Sequence, residues 1–81
     1  MSGEHTPVQL HPDAPTRVRA AAVAWAVAIR DMVRAQPGDA LLDARETARA
    51  YRDVVESAGW RLAGIVTLDS GERGWRLEPQ Q

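Results

Sequence analysis

Eighty-one residues allow one small domain and leave little room for a second. Hydrophobic residues make up 44% and charged residues 26%, a balance that fits neither a disordered chain nor a membrane protein. Ten arginines, with no lysine, stand against eleven acids for a net charge of −1, which argues against strong indiscriminate nucleic-acid binding, and zero cysteine excludes disulfides, thiolate metal sites and cysteine nucleophiles.

Residues 1–15 read as an extended N-terminal arm, either flexible or exchanged with another chain. Pro7, Pro12 and Pro15 each remove a backbone donor and push the preceding residue toward extended conformation. Between the first two prolines, Val8 and Leu10 alternate with Gln9, as a short edge strand would. Residues 16–79 read as a single small domain, and 80–81 as a tail.

The first helix is expected from about Thr16 to Ala35, stopped by Pro37-Gly38. Val18, Ala22, Trp25, Ile29 and Met32 recur at spacings of three and four and form its core-facing stripe. The opposite face carries Ala20, Val23, Val27, Arg30 and Arg34, which sets two valines in the middle of the side that should be wet. The second helix is expected from Asp39 or Asp43 to Ala58, ahead of Gly59. Asp43 with Glu46 three residues on has the form of a capping box. Leu41, Ala44, Ala48, Tyr51, Val55 and Ala58 form the inner stripe, against Glu46, Arg49, Asp53 and Glu56 outside.

Two strands should follow. Trp60–Leu68 alternates in character, residues 69–74 are turn-forming, and Trp75 and Leu77 alternate with Arg76 and Glu78 until Pro79. Gly64 marks a bulge or a close backbone approach. The expected fold class is α+β: two helices packed on a C-terminal two-stranded antiparallel hairpin, with the arm in front. Ten apolar residues from Ala20 to Ile29 form the longest apolar run, half the length a membrane span needs. No secretory signal pattern opens the chain, so a cytoplasmic protein is expected, or a virion-associated one if the source is a phage. The wealth of alanine and arginine points to a GC-rich bacterial or phage genome.

Chemistry-bearing constellations are sparse. His5 and His11 lie in the proline-containing arm, at no spacing that suits a metal. Ser2, Ser57 and Ser70 have no histidine in the folded part to act as base. No glycine-rich phosphate loop is present. Neither catalytic, metal nor cofactor-binding residues are therefore assigned, and no enzyme is expected. A chain this small with an alanine-rich first helix is short of core, and association is the usual remedy. The expected role is a protein–protein interaction or assembly module, forming a homo-oligomer (a dimer being simplest) or docking on a larger protein. Val23, Val27, Arg30, Arg34 and Trp60 are its expected interface residues.

From Thr47 onward, a helix ending Glu56-Ser57-Ala58-Gly59-Trp60 leads into a strand, a polar turn and the strand Gly74-Trp75-Arg76-Leu77. This stretch resembles the back half of a winged helix-turn-helix domain, a recognition helix followed by a wing. The resemblance covers about 35 residues and implies a DNA-binding regulator. Arg45, Arg49 and Arg52 would then lie along the recognition helix, with Arg73 near the wing tip. Against it, Arg49–Asp53 and Arg52–Glu56 stand at i, i+4, a spacing that predicts a salt-bridged, solvated face.

Overall fold

The computed structural model describes residues 6–80, so Ser2, Glu4 and His5 of the arm and Gln81 of the tail lie outside the described residues. The chain forms β1 (Val8–Gln9), α1 (Thr16–Arg34), α2 (Asp39–Ser57), β2 (Trp60–Thr67) and β3 (Arg73–Pro79). Both helices keep the bounds their periodicity gives to within a residue. The second begins at Asp39 behind Gly38, which leaves Asp43 inside the helix and the capping box unused.

The sheet corrects the two-stranded expectation. It has three strands in the order β1-β3-β2, with β1 parallel and β2 antiparallel to β3. The arm supplies the added strand: Val8 stands opposite Trp75 and Gln9 opposite Arg76. The physical reason is Gly74. A Cβ there would run into the carbonyl oxygen and ring of Pro7, so only glycine lets β1 approach. The Trp75 amide donates to Pro7 O at 3.1 Å across that gap. The excursion through both helices and β2 supplies the long crossover that this parallel pairing requires.

A bulge between Gly64 and Val66 interrupts the β2–β3 register. Gly64 is needed there, because the Trp75 indole occupies the space its Cβ would fill. Trp60 is paired with Pro79 at the other end of the sheet, so Trp60 and Trp75 do not stack across the strands.

One face of the sheet meets the helices. Ala14, Val18, Ala21, Ala22, Val55 and Leu77 form the buried cluster, with Trp25, Val54, Trp60 and Leu62 packed on it. Alanine dominates because small side chains let helix and sheet backbones come close. The other face is polar. Arg61 donates to Glu78 Oε1 at 2.8 and 3.1 Å from directly across the ladder. Arg76 donates to Thr67 O at 2.8 Å, and the Gln9 amide exchanges hydrogen bonds with Asp69.

The core is concentrated where α1 begins and α2 ends. At the opposite end of the helical pair Ile29, Met32 and Leu41 are half-buried, while Val33 and Leu42 are 81% and 54% exposed. Uncovered apolar surface at that end is what shapes the candidate site.

Candidate functional site

A short connection makes α1 and α2 an antiparallel pair. Along one side of the pair runs an open trough of ≈ 650 Å³. Ala24, Val27, Ala28, Asp31 and Ala35 line it from α1, and Ala40, Asp43, Ala44, Thr47 and Tyr51 from α2. These residues recur every three or four positions on each helix, so they share one face. Five of these ten residues are alanine, whose side chain ends at Cβ, and Val27 and Tyr51 are the largest apolar ones among the rest. Its two charges, Asp31 and Asp43, are both acidic.

The residues expected at an interface border different hollows. Val27 lies in the trough and is half-buried. Val23, one turn earlier and 40% exposed, instead borders a hollow with Pro7, Val8, Gln9 and Leu68. Arg30 is half-buried and donates to Thr6 Oγ1 at 3.1 Å and Asp31 Oδ1 at 3.3 Å. Arg34 is exposed and borders a further hollow with Ile29, Val33, Ile65, Arg73 and Trp75. Trp60 is half-buried, packed on the core, with its ring 5.1 Å from that of His11.

The arginines expected to meet nucleic acid divide in two. Arg45, Arg49 and Arg52 gather with Trp25, Ile29, Met32 and Ala48 around a hollow of ≈ 230 Å³. Arg73 belongs to the neighbouring hollow, where its guanidinium donates to Ile65 O at 3.4 Å. Ile29 lines both. Of the two expected i, i+4 ion pairs, Arg52–Glu56 is made at 3.2 Å. Among the described residues no ion pair joins Arg49 to Asp53, and Arg45 has none either.

The spacing of Arg45, Arg49 and Arg52 already put them on one face of α2. What the sequence left hidden is the half-open floor of Trp25, Ile29 and Met32 beneath them. These three were expected to be covered, and nothing in the local pattern says that the core ends short of them. Among the described residues no three His, Asp or Glu side chains come together to hold a metal ion, and no helix is long and apolar enough to cross a membrane. The fold and its grooves define a small two-layer α+β domain. Comparison with known proteins finds no matching family model, no matching curated protein and no matching solved structure.

Proposed function

We propose that the chain is a non-enzymatic assembly module that self-associates by setting the helical pair of one copy against that of another along the trough. One observation carries this reading: the stripe Arg17, Ala20, Ala24, Val27 and Asp31 on α1, alternately three and four residues apart. Arg17, Ala20 and Asp31 are exposed, and Ala24 and Val27 are half-buried. Such spacing is the seam of a coiled coil. Between its charged ends no side chain exceeds valine, so a second helix can approach closely.

The seam is self-complementary. Arg17 and Asp31 each stand seven residues from Ala24, in opposite directions. In an antiparallel pair with its two-fold axis at Ala24, Arg17 of each copy comes level with Asp31 of the other. Both ion pairs form about 10 Å from the axis. The seam also buries Val27 and the neighbouring alanines twice over, apolar surface that so small a chain cannot cover alone. The expectation of a bacterial or phage accessory protein, acting in the cytoplasm or a virion, belongs to the same reading.

Light-scattering mass tests it. The wild type should be a dimer at tens of micromolar, and Val27→Glu should be a monomer with unchanged helical circular dichroism. Arg17→Glu and Asp31→Arg should each weaken the dimer, and the two together should restore it. A wild type that is monomeric at hundreds of micromolar would overturn the proposal.

A further inference from the structure

On the side of α1 away from the trough, we infer a second docking surface, one that takes an acidic peptide segment carrying an apolar anchor side chain. Its floor is Trp25, Ile29 and Met32, all half-buried, and its rim is Arg45, Arg49 and Arg52. No acidic side chain lines this hollow. Three cations within two turns, facing one apolar floor, select an occupant that is negative outside and apolar at its centre.

The state of the rim supports this. Arg45 and Arg49 have no ion-pair partner among the described residues, although Asp53 stands at the spacing that would neutralise Arg49. Their guanidinium groups are therefore available to carboxylates in the bidentate geometry arginine favours. Met32 gives the floor the adaptability typical of peptide-binding surfaces. Ile29 also lines the neighbouring hollow, which Val33, Ile65 and Trp75 border.

Two features favour a peptide over nucleic acid. Two members of the floor are aliphatic and matched to an apolar side chain, whereas nucleobases seek open aromatic faces. Glu46, Asp53 and Glu56 also flank the arginines on α2, and a polyanion spanning the helix would meet them. A short segment seated in the hollow need not. The surface lies apart from the trough and does not depend on self-association.

A random dodecapeptide library displayed on phage provides the probe. Panning against the intact chain should enrich sequences with two or more Asp or Glu flanking a Leu, Ile, Phe or Trp. Synthetic winners, followed by fluorescence anisotropy, should lose about tenfold in affinity with each of Arg45→Ala and Arg49→Ala, the expected cost of one charge-assisted contact. Met32→Asp should also weaken them. All three variants should keep the wild-type light-scattering mass, which separates this surface from the trough. Enrichment of basic or wholly apolar peptides, or no enrichment, would overturn the inference. So would winners indifferent to these substitutions, or tighter binding of a mixed-sequence single-stranded or duplex oligonucleotide than of any peptide.

Discussion

Replacing Gly74 by alanine should unseat β1 while leaving the rest of the domain folded. Gly74 is buried beneath the Pro7 backbone, and a Cβ there would overlap the Pro7 carbonyl oxygen and ring. The backbone of Gly74 is not in the left-handed region, so alanine is free to adopt it and the penalty falls on the seat of the arm. Undocking loses the Trp75 N–H to Pro7 O bond of 3.1 Å and the two Gln9–Asp69 bonds. A net hydrogen bond contributes about 0.5–1.5 kcal/mol, with exposed ones at the low end. The backbone entropy that the freed arm regains is set against the partial burial of Pro7 and Val8, which is lost with it. A net destabilisation of about 1–2 kcal/mol is expected, small enough for the helices and the β2–β3 ladder to persist. Urea melts supply the free energy, and amide hydrogen exchange at Trp75 reports the seat itself. Deleting residues 1–9 completes a double-mutant cycle: it should cost stability in the wild type and almost nothing beside Gly74→Ala. Equal costs in the two backgrounds, with a protected Trp75 amide in both, would refute the proposed role of the glycine.

Two further substitutions test the packing. Leu77 is 1% exposed and among the largest fully buried side chains, so Leu77→Ala should lower the free energy of unfolding by about 2–5 kcal/mol in a urea melt. Gly64→Ala should drive the Trp75 indole off the sheet, since the new Cβ meets its six-membered ring, with a red-shifted tryptophan emission and a loss of about 1–3 kcal/mol.

Helices were the most legible part of the chain. Nineteen-residue elements carry five turns of periodic signal, and Pro37-Gly38 and Gly59 mark where they stop. The β2–β3 hairpin and the irregularity at Gly64 were legible for similar reasons. By contrast, β1 was legible only in part. The alternation about Gln9 suits the edge strand that Val8–Gln9 forms, but its partners Trp75 and Arg76 lie at the far end of the sequence and no local pattern names them. Gly74 was read as part of a turn, and only its approach to Pro7 reveals its second role. At the candidate site, Val27 was correctly placed off the core-facing stripe. Val23 and Val27, one turn apart, remain neighbours on α1, but they line different hollows, Val27 the trough with α2 and Val23 the one beside β1. Helical spacing gives direction, and it is the neighbours that decide what a direction meets.

The order β1-β3-β2 also bears on how the chain comes to be folded. The central strand of the sheet is the last of the three to leave a ribosome. As Val8 emerges, Trp75, whose amide anchors the strand, has yet to be translated. The helical pair, made of local contacts, can gather during synthesis. The sheet cannot, and until β3 arrives the β2 backbone has no ladder partner and the underside of the helices no lid. Nascent chains are therefore most open to proteolysis and mispairing just before Arg73–Pro79 is released. A stop codon ahead of Arg73 would remove the one strand to which both of the others are bonded.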